Sequence, residues 1–85
     1  MVTIFVPDIP EFEPLLKGAR LYPGCAVTGP VADYWQIEAE SFVEFTRKGL
    51  GLGPALWNSA LCGGFIGRIA EYSRDVMRIE SEVAA

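Results

Sequence analysis

Hydrophobic positions along this chain change period several times, and each change marks an element. Val2–Val6 is an unbroken β-branched and aromatic run closed by Pro7, which predicts a strand. Phe12, Leu15, Leu16 and Ala19 then recur at i, i+3, i+4 and i+7, the apolar face of a short helix. Asp8 and Glu11 have capping-box spacing, with Asp in place of Ser or Thr. Pro14 is welcome only at a helix start, so the regular helix is expected from Glu13 or Pro14 to about Arg20. Tyr22-Pro23-Gly24 predicts a turn, Cys25–Thr28 a short strand, and Gly29-Pro30 a second break.

Beyond that break the period falls to two. Along 34–39, Trp35, Ile37 and Ala39 oppose Tyr34, Gln36 and Glu38, and the Trp35 set is expected to face the core. Along 42–46, Phe42 and Glu44 oppose Val43 and Phe45, and the pattern leaves the buried face open. A tight connection at 39–41 joins these strands. Gly49, Gly51 and Gly53 loosen the next segment until Pro54 opens a helix with the stripe Leu56, Trp57, Ala60 and Leu61. Gly63-Gly64 is expected to end it. Residues 67–72 and 76–80 predict a hairpin around Ser73-Arg74-Asp75, with 81–85 frayed. The order β-α-β-β-β-α-β-β predicts one α+β domain over residues 1–85. It has two layers, a mostly antiparallel sheet with helices packed on it.

Composition makes such a domain feasible and thin. The chain is 51% hydrophobic and 12% aromatic, enough for one core. A domain of 85 residues buries only about 60–65% of its unfolded surface, so some apolar surface is expected to await a partner. Seven basic against eleven acidic residues leave a formal charge of −4, which disfavours nucleic acid and permits a basic protein partner. Cys25 and Cys62 have no metal or redox spacing and read as two free, partly buried thiols rather than a bridge. The N-terminus lacks a basic leader and no apolar run is long enough for a membrane span, so a cytoplasmic protein is expected.

Catalytic equipment is sparse. The chain has no histidine. Asp33, Glu38, Glu40 and Glu44 read as a solvated strand face rather than as an acid–base pair. Cys62, near a helix C-terminus with no histidine to activate it, reads as a small core residue. The glycines at 49–53 lack the Lys-Ser/Thr of a P-loop and the third Gly of a dinucleotide fingerprint. Trp57, Gly63, Gly64 and Phe65 form the more suggestive group. They read either as packing or as a side-chain-poor patch where another backbone could approach and an aromatic anchor could dock.

Taken in order, I-E-A-E at Ile37–Glu40, T-R-K at Thr46–Lys48, Leu52-Gly53, G-G-F-I-G-R-I at Gly63–Ile69 and D-V-M-R-I at Asp75–Ile79 resemble a known family. It is that of the effector proteins, also called coupling or regulatory proteins, of soluble bacterial di-iron monooxygenases. These serve phenol hydroxylases, toluene monooxygenases and methane monooxygenase. The likeness covers residues 33–80. The chain departs from the family pattern in a shorter stretch between Thr46 and Gly67 and in glycines where an acidic turn follows the basic pair. Pro14 also interrupts a helix that is longer in relatives. The resemblance implies a cofactor-free, non-catalytic protein that docks on the di-iron hydroxylase, in a system that also contains a reductase. It implies control of dioxygen activation, substrate access and the coupling of NADH consumption to hydroxylation. The expected docking segment is 54–65, with Trp57 as anchor beside Asn58, Gly63, Gly64 and Phe65, and with Arg47 and Lys48 as rim charges. A different class remains open: a small-molecule sensor with a ferredoxin-like arrangement that binds its ligand as a homodimer.

Overall fold

Strands pair antiparallel throughout, but they divide between two sheets where the sequence pattern suggests one. The structure is a computed structural model and describes residues 1–82. Its elements are β1 (Val2–Pro7), a 3-10 turn (Pro10–Phe12), α1 (Glu13–Leu21), β2 (Cys25–Val31), β3 (Tyr34–Ala39) and β4 (Phe42–Thr46). These are followed by α2 (Arg47–Leu50), α3 (Pro54–Asn58), β5 (Phe65–Ile66), β6 (Arg68–Tyr72) and β7 (Val76–Glu80). The first sheet has the order β2-β3-β1-β5 and the second β4-β7-β6. The predicted α+β class holds.

Two corners carry the chain from sheet to sheet. At one, Glu40-Ser41 separates β3 from β4, and the Ser41 carbonyl accepts from the Ser81 N–H at 2.8 Å. At the other, Gly67 alone separates β5 from β6 with φ +138°. A Cβ at Gly67 would lie 2.8 Å from the Glu80 carbonyl oxygen, so only glycine lets the strand turn this sharply beside β7. The tie at Ser81 corrects the expected fraying there; residues 83–85 lie outside the described part of the chain.

One core runs through both sheets. Val2, Ile4 and Val6 alternate inward from β1 and meet Ile37 and Ala39 of β3. From the second sheet come Val43, Phe45, Met77 and Ile79, which settles the ambiguous strand in favour of its Val43/Phe45 face. Helix α1 closes the core with Leu15, Leu16 and Ala19, the stripe read from the sequence. Each of the Val, Leu, Ile, Phe and Met side chains among these contributes about 1.5–3 kcal/mol when fully buried.

Several local expectations are corrected. Asp8 caps nothing; its carboxylate accepts the Trp35 Nε1–H at 3.0 Å, and Phe12 precedes α1 with no side-chain cap. Trp35 is half-buried rather than core, held between Asp8 and the Arg20 guanidinium, which lies 5.4 Å from its ring centroid. Strand β2 continues past Gly29-Pro30 with a register shift between Thr28 and Val31 instead of stopping. Helix α3 ends at Asn58 rather than near Gly63, and single-turn bonds at Ala60, Cys62 and Gly64 replace the last turns. Cys62 is exposed and not core; both thiols are free, and burial pushes that of Cys25 up.

Candidate functional groove

Local chemistry after β4 builds a groove that gathers several of the sequence-predicted residues. Thr46 Oγ1 accepts the Gly49 N–H at 3.1 Å, and Gly51 closes the turn in the left-handed region at φ +72°. Together they make Arg47–Leu50 a short helix where the sequence suggests only a glycine-loosened link. Arg47 is thereby turned toward the β6–β7 turn. Its backbone N–H donates to the Asp75 carbonyl at 2.9 Å, and its Nη2 lies 3.6 Å from Asp75 Oδ1. Nη1 reaches the Leu52 carbonyl at a long 3.4 Å, and Nε is buried without a partner. The guanidinium is thus enclosed but only partly satisfied, a costly state for a charged group.

Helix α3 supplies the opposite wall. Pro54 occupies its first turn, and Trp57 is 1% exposed. The Trp57 Nε1–H donates to the Ser73 carbonyl at 2.8 Å, and its own carbonyl accepts from the Tyr72 hydroxyl. The two rings meet edge to face at 6.0 Å. These contacts clamp the β6–β7 turn onto α3. A groove of about 540 Å³ remains, lined by Arg47, Trp57, Asn58, Tyr72, Ser73 and Arg74, and also by Pro54. Among the described residues, the Arg74 and Lys48 side chains make no hydrogen bond or ion pair, although the chain carries eleven acids.

Structure therefore joins Arg47, Trp57 and Asn58 and separates them from the glycines. Trp57 is an internal clamp, so in this conformation it has no exposed surface with which to anchor a partner. Gly63 does admit a close backbone, but the backbone is this chain's own: a Cβ there would meet the Phe5 carbonyl and the Tyr34 ring. Gly64 accepts from the Phe5 N–H at 3.0 Å, and Phe65 is half-buried in β5 opposite Ile4. Lys48 and Asn58 are exposed. Sequence reading missed Arg74 and Ser73, whose role comes from a turn packed on a distant helix.

The remaining charges are spent on each other or on solvent. On the outer face of the second sheet, Arg78 bonds Glu80 at 2.7 Å and lies 3.6 Å from Glu44, while Arg68 bonds Glu80 at 2.6 Å. The Arg78 hydrogen bond holds the Glu80 carboxyl below its ordinary range, and the Arg78 guanidinium is shifted up. The outer face of the first sheet is different. The register sets Val31 beside Tyr34 and Pro7, and Ile66 beside Thr3, so Val31, Tyr34 and Ile66 share one face and are 67%, 39% and 55% exposed. Among the described residues, no cluster of His, Cys, Asp and Glu could hold a metal ion, and no helix is long and apolar enough to cross a membrane. No protein-family model matches the chain, and no curated protein matches its sequence.

Proposed function

We propose that the protein is a cofactor-free effector that binds the hydroxylase component of a soluble di-iron monooxygenase and tunes its turnover. The observation that carries this reading is where the ordered motifs fall. Ile37–Ala39 ends β3, Thr46 leads β4 into Arg47-Lys48, Phe65–Ile69 spans the β5–β6 corner, and Asp75 immediately precedes β7. These four motifs lie on the kinds of element that the resemblance implies, which supports the reading; Leu52-Gly53, expected within a helix, lies instead in the link between α2 and α3. The exposed Val31, Tyr34 and Ile66 add an apolar face suited to burial against another protein.

An effector acts only through the difference in its affinity for two hydroxylase conformations, and a tenfold preference amounts to about 1.4 kcal/mol. With Trp57 internal, contact falls to exposed groups, and Lys48 is the clearest rim charge. The test is product formed per NADH consumed by a di-iron hydroxylase and its reductase as the protein is added. Coupling should rise saturably, and Lys48→Glu should raise the half-saturating concentration most at low salt. No change in coupling, together with no complex in sedimentation, overturns the proposal.

A sensor reading keeps one point in its favour: β1-α1-β2 flanks β3 as a split βαβ unit, the core of a ferredoxin-like sheet. It requires a homodimer in sedimentation and a ligand-induced rise in Tm with no oxygenase present.

A further inference from the structure

The groove between α3 and the β6–β7 turn has chemistry that the effector reading does not use. Its polar lining is donor-rich. Arg47 presents a guanidinium whose two terminal contacts are long, at 3.4 and 3.6 Å. Arg74 presents one with no partner among the described residues, and Asn58 adds a side-chain amide that is likewise unbonded there. Two acceptors of Ser73 are already engaged. The Ser73 carbonyl takes the Trp57 indole, and Ser73 Oγ accepts the Val76 N–H at 3.2 Å. A buried, partly satisfied guanidinium beside a second guanidinium and an amide makes the polar lining of this groove favourable to an anion.

Charge counting decides which anion. Arg47 and Arg74 contribute two positive charges, and Asp75, 3.6 Å from Arg47, removes one. A net single charge matches a monoanion, whereas a phosphate dianion would meet the Asp75 carboxylate uncompensated. Planar guanidinium forks fit the planar, two-oxygen face of a carboxylate. The volume of about 540 Å³ lies within the usual range for small-ligand sites. We infer that this groove is a carboxylate-binding site in which Arg47 and Arg74 hold the two oxygens, with Asn58 as a third donor. The carboxylate comes either from a free organic acid or from an acidic side chain of a bound protein.

Amide chemical-shift titration of the intact chain tests this with acetate, benzoate, a blocked Glu-containing peptide, inorganic phosphate and chloride at matched ionic strength. The expected result is saturable shifts at residues 57–58 and 72–75 with carboxylates, at roughly millimolar Kd as an open charge-assisted site allows. Benzoate tighter than the peptide assigns a free acid; the reverse assigns a protein side chain. Arg74→Ala, exposed and unbonded, should keep the wild-type Tm and weaken binding at least about fivefold; Asp75→Asn should tighten it about two- to threefold. Equal shifts with chloride, tighter binding of phosphate, or an unaltered Kd in Arg74→Ala overturns the assignment. None of these outcomes depends on a hydroxylase, so failure of this site and failure of the effector reading are separately visible.

Discussion

An alanine at position 63 would drive its methyl group against the Phe5 carbonyl and within 2.9 Å of the Tyr34 ring. Backbone cannot yield as a flexible side chain can, so Gly63→Ala should destabilise the isolated protein by about 1–3 kcal/mol, read by urea denaturation. Unchanged stability would return Gly63 to the list of free docking positions. Glu80 makes the complementary electrostatic case. Its carboxyl is held below the ordinary value chiefly by the Arg78 hydrogen bond. That contribution is present above the unfolded pKa of about 4.3 and disappears as pH falls through the lower folded value. Melting temperature should therefore drop on acidification below about pH 4, and Glu80→Gln should flatten that drop. Glycine and glutamate are both visible in the chain, yet neither role is: Gly63 answers to Phe5 and Tyr34 from distant strands, and Glu80 to Arg78 on the same face of β7 and to Arg68 on β6.

Elements were legible where hydrophobic period and turn chemistry agree. The stripe of α1, the alternation in β3 and the hairpin around residues 73–75 all lie where the pattern puts them. Helix α2 was missed although Thr46 and Gly51 are sound cap residues, because three glycines in five positions outweighed them in the reading. Thr46→Ala should therefore cost about 1 kcal/mol and loosen Arg47, visible as faster amide exchange at residues 49–51. The β2–β3 connection offers the opposite case. Ala32 and Asp33 both adopt positive φ, 52° and 69°, in a two-residue turn whose favoured pair is Asn-Gly. Replacing them together, Ala32→Asn with Asp33→Gly, should stabilise by about 1 kcal/mol in thermal unfolding.

Across the whole molecule, a single buried cluster spans both sheets, so the two halves have no separate cores. Trp57 belongs to it and ties α3 to the second sheet through Ser73 and Tyr72. Trp57→Ala should cost about 3–5 kcal/mol and lower hydrogen-exchange protection in β1 and β7 together. Loss confined to β7 would show that the sheets unfold separately. A weakened hydroxylase response in that variant would report misfolding, which is why the exposed Lys48 is the better probe of docking.

What the chain determined by itself is local: which runs are strands or helix, which faces are apolar, and that histidine-based chemistry is absent. These follow from side-chain period, glycine and proline, which act over a few residues. Tertiary structure alone decided that the strands turn two corners into two sheets and that Trp57 faces inward. It also decided that Arg47 and Arg74, 27 positions apart, line one groove. Periodicity can say that a residue is apolar or charged, but which distant backbone receives it depends on the path of the whole chain.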